Sequence, residues 1–197
     1  SCLLSVVSCL LPVVSCLLMN YHPPHLLLGL DLGQRRDPAA LAILERTLEF
    51  TGARDPVTLE FHSYIRFTLR HVERFRLGLP YVTIVERIAR LVRDLPAMST
   101  LYQPCLSLVV DASGVGAPVV EMLRGAGMGI SIFPVIITSG EHAHPSPNGC
   151  RNIPRRDLVT RLRIALEEQT LKIPATIHDH AALTSEQLNF TDRSGSR

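Results

Sequence analysis

Several patterns that would assign this chain quickly are missing from it. No cysteine stands in a CxxC pair or another ligand spacing, which removes a cysteine metal centre. There is no GxGxxG and no GK[ST], which removes a Rossmann dinucleotide fingerprint and a Walker ATPase. Neither sign of charge dominates: 20 Lys and Arg against 18 Asp and Glu leave +2. With a pI near 8.4, that balance is too mild to establish a nucleic-acid partner by itself. Aromatic residues are scarce and tryptophan is absent.

Three of the five cysteines, Cys2, Cys9 and Cys16, belong to a tandem repeat, SCLLSVV-SCLLPVV-SCLL. Only Cys105 and Cys150 lie in the body, so a reduced, cytoplasmic setting is expected. Residues 1–18 carry no charge, yet they lack the basic start of a signal peptide. They fall short of the roughly 20 apolar residues of a span, and Pro12 interrupts them. The repeat is too short for a coiled coil and has no flanking charges. The expectation is a repetitive leader read in frame ahead of Met19, outside the fold, with a membrane anchor as the alternative. Residues 19–190 then form one domain of adequate size for a core, and 191–197 a polar tail.

What is present begins with two aspartates, each ending an apolar run. Leu26–Leu32 (LLLGLDL) carries Asp31, followed by Gly33, and Leu106–Val110 (LSLVV) leads into Asp111, followed by Gly114 and Gly116. Both runs read as buried strands that deliver a carboxylate to a sheet edge. A carboxylate is costly there unless it is paired, hydrogen-bonded or bound to a metal, so the pair points to Mg²⁺, phosphate or both.

Between and after them the pattern predicts further elements. Ala39–Thr47 and Leu59–Leu77 read as strands, with turns at Asp37-Pro38 and Thr51–Pro56. A helix opens at Leu79-Pro80, with Ile84, Val85, Ile88, Leu91, Val92 and Leu95 at helical spacing. Gly116–Arg124 reads as a short helix and Ile130–Thr138 as a strand. Ser139–Asn152 lacks periodicity and reads as a mobile loop. A helix follows from Pro154 with Leu158, Val159, Leu162, Ala165 and Leu166 inward, then a short strand at Leu171–Ile173 and a helix over Asp179–Phe190. The order is an antiparallel meander followed by alternating helices and strands, hence an α/β mixed sheet with helices on its faces.

That order, with GLDLGQ and DPAAL (29–34, 37–41), VVDASGVGAPV (109–119) and PRRDLV (154–159), resembles the nuclease domain of phage large terminases, of the RNase H-like superfamily. The resemblance covers roughly Leu26 to Phe190. It implies a metal-dependent DNA endonuclease in which Asp31 and Asp111 ligate two Mg²⁺ or Mn²⁺ ions for phosphodiester hydrolysis. Double-stranded DNA is the implied partner, with other phage packaging proteins besides, and no membrane. Gly114 and Gly116 would admit the nucleic-acid backbone, and Arg151, Arg155 and Arg156 would hold phosphates without reading sequence. The family's final acidic motif has no counterpart here, so a truncated or decayed prophage product with weak or no cleavage is expected.

Two readings stand beside this one. An actin-like or sugar-kinase ATPase also uses Asp-x-Gly after a first strand and a glycine-bearing aspartate strand later, but needs a longer chain. A non-catalytic DNA-binding remnant is the other. Among the remaining acids, Asp157 reads as a helix-start residue favoured by the macrodipole, and Asp37 as turn chemistry. Glu73, Glu86 and Glu121 read as solvent-facing, with Glu86 able to approach the site. His142-Ala143-His144 and His178-Asp179-His180 are too sparse for zinc, and Asp179 reads as an N-cap.

Overall fold

The computed structural model describes residues 24–33, 37–95, 105–114, 116–140, 142–145, 150–177 and 183. The leader, the polar tail, His178-Asp179-His180 and all of the expected last helix except Leu183 lie outside the described residues.

The first three strands form the expected meander. They are β1 (His25–Asp31), β2 (Ala40–Arg54) and β3 (Phe61–Arg74), antiparallel in sequence. Helix α1 (Tyr81–Asp94) then crosses to β4 (Cys105–Asp111), and α2 (Gly116–Gly125) leads to β5 (Ser131–Thr138). Two short strands follow, β6 (His144–Pro145) and β7 (Arg151–Pro154), then α3 (Arg155–Glu167) and β8 (Leu171–Lys172). Together they make one sheet in the order β6-β7-β5-β4-β1-β2-β3-β8. Strands β1, β4, β5 and β7 run parallel, and β2 runs against its neighbours. The central order β3-β2-β1-β4-β5, with β2 reversed, is the RNase H-like arrangement that the sequence implies.

The physical reason for β1 and β4 is burial on both faces, which removes alternation and leaves continuous apolar runs. Leu28, Leu30, Leu108 and Val110 point to one face, where α1 and α2 cover them through Ile84, Ile88, Val119 and Leu123. Leu27 and Val109 point to the other, where α3 packs Leu158, Leu162 and Ala165 against them. The ambiguous alanines of β2 resolve the same way: Ala40, Ala42 and Leu44 lie under α3, Leu41 and Ile43 under α1.

Two expectations are corrected. The turn placed at Thr51–Pro56 starts later, because β2 continues through Arg54. Asp55 makes the reversal: its Oδ1 accepts the Val57 and Thr58 N–H groups, both at 2.8 Å. The loop placed at Ser139–Asn152 contains β6 and the start of β7. β7 is too short to carry a periodic signal and forms because β5 offers it a parallel edge.

Candidate functional site

Strands β1 and β4 are parallel neighbours with Asp31 directly opposite Asp111. Adjacent strands lie about 4.8 Å apart, and opposed residues share a face. The two half-buried carboxylates therefore stand side by side at the end of the strands, on the α3 face. Only β1 beside β4 brings them together, and that neighbourhood is set by the crossover through α1.

The turn after Asp111 holds its carboxylate. Oδ1 accepts the Ser113 N–H at 2.9 Å, so the Asx-turn reading of this stretch also applies. Ser113 is anchored in turn, since its Oγ accepts the Ile137 N–H of β5 at 2.9 Å. Ala112 N–H donates to Val135 O at 2.8 Å. Asp111 is thus fixed through β5 as well as through its own strand. Gly114 has φ +93°, the left-handed region that lets the chain turn from β4 toward α2. Gly116 is the first residue of α2.

The turn after Asp31 is held differently. Tyr81 Oη, at the first residue of α1, donates to Gly33 O at 3.2 Å. Phe75 N–H donates to Ala39 O at 2.9 Å, tying the end of β3 to the start of β2.

Arg151, Arg155 and Arg156 fall into two groups. Arg151 is half-buried on β7 opposite Val135, and Val135 is opposite Asp111. Arg155 and Arg156 are exposed in the first turn of α3, which starts just beyond that same sheet edge. Asp157 shares this turn as expected, half-exposed, with Arg156 Nε 3.7 Å from its Oδ1.

Two expectations about acids are corrected. Glu73 does not simply face solvent. It is half-buried between β3 and α1, with Arg87 Nη2 at 3.0 Å and His71 Nε2 at 3.3 Å. Burial alone would raise its pKa, but the Arg87 and His71 hydrogen bonds outweigh that and hold it below the ordinary value. Glu86 is exposed on a helix that covers the opposite face, so it does not approach the carboxylate pair. Glu121 is exposed as expected, paired with Arg124 at 2.7 Å. His142 is exposed.

The donor set suits a hard, hydrated cation. Mg²⁺ commonly uses one or two carboxylates and keeps several waters, which is what Asp31 and Asp111 offer. Among the described residues no group of three or more His, Cys, Asp or Glu side chains is gathered to hold a metal. Ser113 as the anchor of Asp111 leaves no mark in the sequence, because its partner on β5 is 24 residues away. Nor does the sequence mark Arg74, which the sheet register carries to the level of the aspartates.

No family model and no curated protein matches the sequence. Among solved structures, the nuclease domain of the human cytomegalovirus terminase, soaked with Mn, is similar at 14% identity and a TM-score of 0.46. The match covers 80% of this chain and 65% of that one, so this chain spans about two thirds of that domain's length. RuvC of Thermus thermophilus is similar at 18% identity and a TM-score of 0.37, over 87% of this chain and 97% of that one.

Proposed function

We propose that this domain is a divalent-metal-dependent DNA endonuclease of the phage or prophage terminase type. The observation that carries the reading is the Asp31–Asp111 pair, opposed on parallel strands and sharing one face. Two adjacent carboxylates repel, and a divalent cation relieves that repulsion. Asp31 and Asp111 would supply its protein oxygens, with Asp111 oriented by the Ser113 N–H. When bound, such ions stabilise the charge that develops on the attacking and leaving oxygens of a phosphodiester. Arg151, Arg155 and Arg156 would hold DNA phosphates, and Gly114 and Gly116 would let the nucleic-acid backbone come close. The RNase H-like strand order supports the reading, as do the three sequence blocks that resemble terminase nucleases.

A DNA-binding domain of the same fold with little or no cleavage is the second reading. Its support is the exposed pair Arg155 and Arg156 beside the site, which suit phosphate binding whether or not cleavage follows. A two-ion reaction that loses one ion forfeits several kcal/mol of stabilisation, enough to slow cleavage by orders of magnitude.

The test combines calorimetry with plasmid nicking. Mn²⁺ should bind the wild-type chain and raise its melting temperature, by about 2.7 kcal/mol of stability at a hundredfold excess over Kd. Asp31→Asn with Asp111→Asn should abolish both effects. Equal Mn²⁺ binding in that double variant would remove the metal site and the endonuclease reading. Binding without nicking would select the second reading.

A further inference from the structure

The sheet register places more than the two aspartates at this level. On one side Asp31 is opposite Ala40 of β2, and Ala40 is opposite Arg74 at the end of β3. On the other side Asp111 is opposite Val135 of β5, and Val135 is opposite Arg151 of β7. Opposed residues share a face. Arg74, Ala40, Asp31, Asp111, Val135 and Arg151 therefore form one transverse row on the α3 face. At about 4.8 Å per strand, each arginine's Cα lies roughly 10 Å from that of the nearer aspartate. Ala40 and Val135, between charges of opposite sign, are buried. The row reads cation, apolar, anion, anion, apolar, cation.

The surroundings restrict what can lie along it. Below it on the same face, Val109 and, one pair further down, Leu27 are buried beneath Leu158 and Leu162 of α3. A polymer passing through the aspartate pair cannot continue down that face. A polymer that stays on the edge runs from strand to strand, and in doing so it meets Arg74 and Arg151. A guanidinium suits a phosphate because its N–H groups match the anion's oxygens.

We propose that this row is the track of one nucleic-acid strand across the sheet edge, with the scissile phosphate at Asp31 and Asp111. Arg74 and Arg151 then bind backbone phosphates on opposite sides of it. The proposal rests on the endonuclease reading and deepens it: it fixes the line along which the strand lies and assigns Arg74, far in sequence from Arg151, Arg155 and Arg156, as a phosphate-binding residue.

The test is equilibrium binding of a short fluorescent DNA duplex by the full chain over a KCl series, in Ca²⁺ buffer. Each phosphate contact contributes about 0.9 to the slope of log K against log salt. Arg74→Gln should lower the slope by about 0.9 and Arg74→Gln with Arg151→Gln by about 1.8. Arg74→Lys, which keeps the charge, should keep the slope. Arg93→Gln, on α1 across the sheet, should change nothing, and melting temperatures of all variants should match the wild type. A wild-type slope in Arg74→Gln, or a lost slope in Arg74→Lys, overturns the track. If Arg155→Gln with Arg156→Gln still lowers the slope in that case, DNA binding stands without it. No salt-dependent binding by the wild type overturns the track and the endonuclease reading together.

Discussion

Gly33 shows how little room surrounds the first aspartate. A Cβ on it would lie 2.1 Å from the Asp37 carbonyl oxygen, 2.4 Å from the Pro38 carbonyl carbon and 2.5 Å from the Ala39 nitrogen. The glycine is there for the chain's own return into β2, so the Asp-x-Gly pattern has a structural cause before any ligand is considered. His25 is the residue-scale feature with a pH consequence. It is 2% exposed, and its Nε2 lies 2.9 Å from Ser107 Oγ. Burial, then the charge of Arg46 opposite it, holds its pKa below the ordinary 6.5. The folded state therefore disfavours the protonated ring. The stability His25 contributes is present above the unfolded value and is lost as pH falls through 6.5 toward the depressed folded value. Urea midpoints should fall between about pH 7.5 and pH 5.5. In His25→Gln that part of the fall should disappear; a pH response unchanged by the substitution would refute the assignment.

At the scale of elements, the β2–β3 hairpin is longer than the sheet needs. The β1 ladder ends at Arg46, and β8 meets β3 only at Phe67 and Thr68. Beyond those points the two strands pair only with each other and form a projecting arm. An isolated ribbon is marginal in water, and side chains hold the base of this one. Glu49 accepts from Tyr64 Oη and Arg66 Nε, both at 2.6 Å. Farther out, Phe61 packs edge-on to Phe50 with ring centroids 6.5 Å apart, and Arg54 lies over the Phe61 ring at 4.2 Å. Val57 and Leu59 at the tip are exposed. Because no core residue belongs to the arm's outer half, joining Glu49 to its partner Tyr64 by an Asn-Gly turn should leave the fold intact. The shortened chain should keep its melting temperature. A large loss of melting temperature would show that the arm supports the sheet.

At the scale of the whole molecule, two cores share one sheet. Ile88 belongs to the α1–α2 side and Leu162 to the α3 side, and both are fully buried. A sheet covered on one face only would expose the leucines and valines of β1 and β4 that point to the other. Ile88→Ala and Leu162→Ala should each cost about 2–5 kcal/mol and should each lower a single cooperative transition, measured by circular dichroism and fluorescence together. Two separable transitions would mean that the layers fold independently. Among the described residues no helix is long and apolar enough to cross a membrane.

Much of this architecture was written in local patterns. The apolar runs before Asp31 and Asp111 are legible because strands buried on both faces need an unbroken apolar stretch. The α1 spacing is legible because a helix buries every third or fourth residue. These patterns set the elements, their order and the aspartates at two strand ends. They could not set the pairing. Whether Asp31 meets Asp111, whether Arg74 reaches the same level, and whether Ser113 finds Ile137 depend on contacts between residues far apart in sequence. The same holds for β7, four residues long and held by β5. Side-chain alternation and turn chemistry act over a few residues, whereas register across a sheet is decided when all its strands pack at once between two helical layers, and that is where this site was made.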